Sequence, residues 1–444
     1  MVLLGLAGLL VGADPAAAHG PAFGVSHVSV APDDGATVWA VVDGWGVVGS
    51  RDAGATWSWV CEEALGEAPV LAVLARTGSS DGHARAWVGT RAGILALDDA
   101  CSATVVSGLP PGSYVAALAQ HPLDASKAIV LATGPQGGVY DCVDTGCVAT
   151  GLVGEGMYPK SVIVDESGAA WVTTVAADTL EATLWRAAPA SSGAEPSTWE
   201  ARARWPDGNV DPRVLEVRGE RVLLWERTRA EGDTPRLVRS EDGGATWTQV
   251  LAHGTWTDAA PGLLRVGETV LLGSVLGART WRSADDGRSW TDASLTLPAV
   301  RCGVVTRDPA SGPDAPPRVW TCGDHLADGF DLATSTDLAT WAPVACLQQA
   351  QVATCAESAC APFVDLYAEA GALGGDACEP DTGGAVDASP GCSCAVYGAV
   401  GAPTRRPLPL LAALVGVAVT WRRARGAGPR VRSQEAMAAL AEET

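Results

Sequence analysis

The octapeptide SEDGGATW, Ser240 to Trp247, has near-copies in SRDAGATW, Ser50 to Trp57, and SADDGRSW, Ser283 to Trp290, and a shortened one, STDLATW, at Ser335 to Trp341. An Asp followed by Gly makes a tight turn, because the carboxylate accepts hydrogen bonds from backbone amides ahead of it and Gly takes positive φ without a Cβ clash. Gly54, Gly244 and Gly287 occupy that position, and the hydroxyls of Ser50, Thr56, Ser240, Thr246, Ser283 and Ser289 can satisfy neighbouring backbone groups. Trp57, Trp247, Trp290 and Trp341 each open a following strand and bring a large surface to bury. Asp52, Asp242, Asp285 and Asp337 therefore read as turn-makers, not as metal ligands or catalytic acids, since a turn repeated once per structural unit lies far from any central site.

The pattern resembles the Asp-box, or BNR, repeat of sialidases, sortilin-type receptors, some glucan hydrolases and photosystem assembly factors. The resemblance implies an all-β propeller in which each box turns the chain from the third strand of a blade into the fourth.

Spacing leads to the same architecture independently. A β-rich segment recurs from Phe23 to Cys346, and aligning its small-V-W strands brings Trp39, Trp87, Val130, Trp171, Leu223, Leu271 and Trp320 into equivalence. The intervals are 48, 43, 41, 52, 48 and 49 residues, the length of a four-stranded blade. Seven blades are expected over residues 19–346. Blade 1 parses as GVSHVSVAP, TVWAVVD, GVVGSRD and TWSWV, and blade 5 as RVLEVRG, RVLLWER, RLVRSED and TWTQVL. Every blade is complete in itself, so no strand is donated across the closure of the ring.

The 444 residues carry a formal net charge of -21, with Lys127 and Lys160 the only lysines. Such a balance repels phosphate backbones and argues against a nucleic-acid partner. Seventeen Trp against three Phe suit blades that each pack an indole against the next. The twelve Cys of an exported chain point to disulfides rather than catalytic thiols. Cys142 and Cys147 flank V-D-T-G where blade 3 should carry its box, which makes them a hairpin staple. Cys302 and Cys322 fall on neighbouring strands of blade 7, where a bridge would reinforce the closing joint. Pairing of Cys61, Cys101, Cys346, Cys355, Cys360 and Cys378 stays open.

The two ends carry addresses. Residues 1–18, an apolar run followed by Ala16-Ala17-Ala18, read as a secretory signal cleaved after Ala18, and the missing basic n-region puts the expected start upstream of Met1. Residues 347–380 read as a small Cys-rich module and 381–402 as a spacer ending in Gly391-Cys392-Ser393-Cys394. Over 403–425 an apolar run, Leu408 to Trp421, precedes Arg422, Arg423 and Arg425, and 426–444 is a polar tail. The 14-residue run would rise only about 21 Å as a helix, a marginal span of a core of roughly 30 Å, with the Arg cluster held on the cytoplasmic side. G-C-x-C, apolar run and Arg cluster together resemble the myxobacterial C-terminal sorting tail. That resemblance implies processing or lipid attachment at Cys392 or Cys394 and display at the cell envelope, with membrane and sorting machinery as partners. Arg405 and Arg406 before the run, and the extension after it, depart from the pattern.

On a propeller of this phase, loops opposite the boxes surround the channel mouth, the usual place for ligands. There the sequence puts Asp43 and Trp45; Glu155, Tyr158 and Lys160; Trp205, Asp207 and Asp211; His253, Trp256 and Asp258; and Asp324, His325 and Asp328. Rings interleaved with carboxylates suit a sugar, whose apolar face stacks while its hydroxyls donate, and suit a peptide groove equally; indoles that plug the loops against the blade tops are the plainer reading. Trp45, Tyr158, Trp205 and Trp256 are the ligand-contact candidates for a glycan or extracellular peptide. A non-enzymatic binding or scaffold module is the leading expectation, and an extracellular glycoside hydrolase the alternative. A two-carboxylate hydrolase needs acids about 5 to 9.5 Å apart, for which Asp43 and Asp258 are the candidates. Sialidase chemistry fits less well: the family's first Arg has no counterpart in GVSHVSVAP, and only Tyr114, Tyr140 and Tyr158 lie in the blades. No cofactor or metal is expected, since no phosphate-binding glycine loop stands between a strand and a helix and the six His are not paired at ligand spacing.

Overall fold

The computed structural model describes residues 24–369 except 33, 67–68, 77–84, 99–102, 135, 189–197, 229–233, 253–260, 274–278, 308–314, 324–327, 329, 346–349 and 354–355. The expected leader, the spacer, the sorting segment with Cys392 and Cys394, and Cys101, Cys346, Cys355 and Cys378 lie outside the described residues.

The chain forms seven sheets, each built on four antiparallel strands consecutive in sequence, and the first gains a fifth, parallel strand from beyond the last blade. Blade 1 holds β1 (Val25–Val30), β2 (Val38–Val42), β3 (Gly46–Ser50) and β4 (Ser58–Val60). Blade 2 holds β5 (Val70–Arg76), β6 (Arg85–Thr90), β7 (Gly93–Asp98) and β8 (Ala103–Val105), and blade 3 holds β9 (Tyr114–Gln120), β10 (Ala128–Thr133), β11 (Gly138–Val143) and β12 (Gly146–Val153). Blade 4 comprises β13 (Met157–Val164), β14 (Ala170–Ala176), β15 (Ala182–Ala187) and β16 (Trp199–Trp205); blade 5, β17 (Val210–Arg218), β18 (Arg221–Thr228), β19 (Arg236–Ser240) and β20 (Thr248–Ala252). Blade 6 comprises β21 (Gly262–Val266), β22 (Thr269–Gly273), β23 (Thr280–Ser283) and β24 (Thr291–Asp292); blade 7, β25 (Cys302–Thr306), β26 (Arg318–Cys322), β27 (Leu332–Ser335) and β28 (Ala342–Ala345). This is the expected all-β, seven-bladed, four-stranded propeller.

The seven residues aligned by spacing all fall on the second strand of their blades, and all are buried. Buried apolar side chains group across neighbouring blades rather than within one. Leu74, Trp87 and Ile94 of blade 2, for example, pack with Val115, Val130 and Tyr140 of blade 3. Alternation along each strand gives a blade two apolar faces, and only ring stacking buries both.

The repeated turns have one geometry. In blade 5, Ser240 Oγ donates to Asp242 Oδ1 at 2.8 Å and accepts from the Gly244 amide at 2.8 Å, while the amide and hydroxyl of Thr246 donate to Asp242 at 2.8 and 2.7 Å. Blades 1 and 6 repeat this with Asp52 and Asp285. In the shortened copy Leu338 replaces the glycine, donating its amide to Ser335 Oγ at 2.8 Å with φ at 61°. The side chain of Leu338 is buried against blade 6, and that packing offsets the left-handed backbone.

The turns also join blades. A Cβ on Gly54 would stand 3.3 Å from Trp320 of blade 7, and one on Gly287 3.2 Å from Leu223 of blade 5. Glycine is thus required twice over, by positive φ (93° and 85°) and by the neighbouring blade.

Two hairpin disulfides, Cys142–Cys147 and Cys302–Cys322, are formed as expected. A third, Cys61–Cys360, was not assigned from sequence. Beyond blade 7 a short strand, β29 (Gln351–Val352), lies parallel to β4, with Gln351 opposite Ser58. A helix, α1 (Glu357–Glu369), follows and carries Cys360 to Cys61. The described part of the Cys-rich region is therefore tied to blade 1. Among the described residues no helix is long and apolar enough to cross a membrane.

Candidate functional site

The repeated turns and the β1–β2-type hairpin turns share one rim of the ring, and the blade-to-blade connections share the other. On the latter rim, blades 4 and 5 bring together a lysine and a buried carboxylate. Along β13, Pro159 pairs with Thr174 and Ser161 with Thr173, leaving Lys160 as the extra residue of a bulge. A bulge frees its residue from the strand's strict alternation and re-aims the side chain. Its position is fixed from both sides: the Ser161 hydroxyl bonds Thr173 Oγ1 at 2.7 Å and accepts from the Val214 amide at 2.7 Å, and Arg213 donates to the Lys160 carbonyl at 3.3 Å.

Lys160 Nζ lies 3.9 Å from Asp211 Oδ2, on the innermost strand of blade 5. The carboxylate is 10% exposed, and no protein group donates to its other oxygen, Oδ1. A buried carboxylate oxygen without a donor is costly and uncommon, and it marks a place where a donor from outside is favoured. Tyr158, two residues before Lys160 on the same strand, is 41% exposed.

Trp205 closes the outer side of blade 4. Its indole N–H donates to Glu226 Oε1 at 2.9 Å, and Glu226, nearly buried, also accepts from Arg236 at 2.5 Å. The ring stands tilted 6.1 Å from Trp247. Trp205 is therefore half-buried in the seam between blades 4 and 5, its N–H already engaged.

Trp45 requires a correction. Expected as a ligand-facing ring, it is 1% exposed, stacked on Trp59 at 4.7 Å, with its carbonyl accepting from the Trp59 indole at 2.8 Å. Gly44 and Gly46, at φ 70° and 114°, fold the loop back and drive the indole into blade 1. Asp43 stays exposed at that turn. Trp256, Asp258 and His253, with Asp324 and His325, lie outside the described residues, so the Asp43–Asp258 pair has no geometry here. Asp328 accepts from the Ala299 amide at 3.1 Å, and Glu155 and Asp207 are exposed. Among the described residues no three His, Cys, Asp or Glu side chains gather to hold a metal ion.

A carboxylate acceptor and an ammonium donor side by side can hold a group offering both an N–H or O–H and an oxygen. The fold and site together define a seven-bladed propeller with a polar pair on the rim opposite its repeated turns. Among solved structures the chain is similar to YCF48 bound to D1 peptide (TM-score 0.43, 15% identity, 68% of this chain and 91% of that one). It is also similar to an ancestral GH74 enzyme (0.49, 12%, 68% of this chain but 46% of that one) and to the periplasmic gluconolactonase PpgL of Pseudomonas aeruginosa (0.38, 13%, 60% and 84%). These likenesses are of fold alone. No family model and no curated protein matches the sequence.

Proposed function

We propose that the chain is an exported, envelope-displayed recognition module that binds an extended peptide or a glycan on the rim opposite its repeated turns. The observation that carries the reading is the Lys160–Asp211 pair, with Asp211 Oδ1 buried and undonated, on a rim where Tyr158 is exposed two residues before Lys160. A peptide amide, or a sugar hydroxyl beside a ring oxygen, supplies the donor that Oδ1 lacks and an acceptor for Lys160, while Tyr158 stacks on the ligand's apolar face. Export and surface display rest on the leader-like start and on the sorting-tail pattern around Cys392 and Cys394.

The test is to probe the disulfide-intact full chain on glycan and peptide arrays and then analyse the retained ligands by mass spectrometry. Retention of intact ligand, lost in Asp211→Asn, supports recognition. Shortened products dependent on Asp43 or Asp258 would make the protein a glycoside hydrolase instead.

A further inference from the structure

The opposite rim carries a concentration of charge that recognition at Lys160 and Asp211 does not use. In SADDGRSW the second Asp, Asp286, takes φ of 64°, and its side chain is 7% exposed. Four guanidiniums converge on it: Arg218 and Arg239, each at 3.4 Å, together with Arg221 and Arg265. Arg239 is almost wholly buried and also donates to the Asp286 carbonyl at 2.7 Å, while Arg265 clamps Glu216. These six side chains line a shallow, open-sided recess between blades 5 and 6.

The charges do not cancel. Four arginines line the recess against Asp286 and Glu216, leaving two positive charges in excess within a chain whose formal net charge is -21. At the edge Glu241 pairs with Arg239 at 2.7 Å and stands 3.8 Å from the exposed Arg288, so five arginines face three carboxylates and the excess of two remains. Like charges this close repel, and partial burial strengthens the repulsion because water screens it less. The Arg239 guanidinium is held below the usual arginine range by burial, with Glu241 opposing and Arg288, Arg221 and Arg265 adding to the depression. Arg218 and Arg221, 38% and 34% exposed, sit where a solute can reach them.

We infer that this recess binds an oxyanion group, a carboxylate, sulfate or phosphate carried by a ligand. Planar guanidiniums with paired N–H donors match such oxygens, and one bound anion relieves the excess charge that the carboxylates of the cluster leave. The inference is independent of the Lys160–Asp211 site, because the two lie on opposite rims.

The test is isothermal titration of the full chain with sodium sulfate, sodium phosphate and sodium acetate, with sodium chloride holding ionic strength constant. Saturable one-to-one binding is expected for at least one of them. Arg221→Gln and Arg218→Gln should each weaken it about tenfold or more, while Arg279→Gln on the outer part of blade 6 leaves it unchanged. Arg218→Lys, which keeps the charge, should recover part of the loss and exclude misfolding as its cause. The ranking of the three anions identifies the group preferred. Absence of saturable binding for all three, or equal binding in the Arg221 and Arg218 variants, would overturn the proposal and leave the cluster as a clamp between blades.

Discussion

Cys61, at the end of blade 1, is bonded to Cys360, 299 residues later, with the two Cα atoms 5.7 Å apart. The bond holds β29 against β4 where the first and last blades meet. Next to it the Trp57 indole donates to the Val344 carbonyl of blade 7 at 3.2 Å. The sequence leads one to expect no strand across the joint, but β29, from beyond blade 7, adds a fifth strand to blade 1, and the ring is closed by this two-residue parallel pairing, the disulfide and one indole.

Cys360→Ser should therefore destabilise the propeller by about 2–5 kcal/mol, since the cross-link restricts a very long loop of the unfolded chain. Thermal unfolding followed by circular dichroism checks this. Cys142→Ser, which opens a loop of only five residues' separation, should cost less.

The turn carboxylates set an acid limit. Asp242 and Asp337 are pulled from 3.8 to about 2, the first chiefly by the Thr246 hydroxyl and amide and the second by the Thr340 and Ala339 amides. Asp285 is depressed further by Ser289. A carboxylate whose folded-state pKa is depressed contributes stability above its unfolded value and loses it as pH falls through the folded one. Thermal stability should accordingly decline from about pH 4 towards pH 2, and Asp242→Asn should flatten that decline. A midpoint temperature constant across this window would contradict the turn geometry.

Gly46 stands where a Cβ would meet the Val60 carbonyl at 2.3 Å, on a backbone with φ of 114°. Gly46→Ala should destabilise by more than about 1 kcal/mol, through both strain and backbone displacement. Gly66→Ala, at φ 89° with nothing within 4 Å, should show the backbone cost alone. Denaturant midpoints of the two variants separate the contributions.

Much of this could be read in the sequence, because a propeller is specified by local repetition. The spacing of Trp39, Trp87, Trp171 and Trp320 fixed the second strands, and hydroxyl, Asp and Gly at set offsets fixed the turns. Cys142 and Cys147 were readable since a hairpin brings its own ends together. The Cys61–Cys360 bond was not, because its partners become neighbours only when the ring closes. Trp45 misled for a related reason: D-G-W-G resembles a loop tip, and only the positive φ of Gly44 and Gly46 turns the indole inward. Lys160 and Asp211 were both assigned to the correct rim, but their pairing depends on a bulge no periodicity announces. The cluster around Asp286 has no sequence signature, because its arginines are scattered over four strands of two blades and its carboxylate lies on a turn.

Trp45 and Tyr158 should separate packing from recognition. Trp45→Ala removes a fully buried ring and should cost about 3–5 kcal/mol of stability. Tyr158→Ala, at an exposed position, should change stability by less than about 0.5 kcal/mol while weakening ligand retention. Chemical denaturation run beside the array assay gives both readouts.

The most direct measurement is the affinity of the best array ligand for the wild-type chain and for Asp211→Asn, by isothermal titration with thermal unfolding alongside. The substitution should weaken binding about tenfold or more, since a hydrogen bond to a charged acceptor is lost, while the midpoint temperature stays near wild type. Unchanged affinity in a folded Asp211→Asn protein would contradict recognition at the Lys160–Asp211 pair.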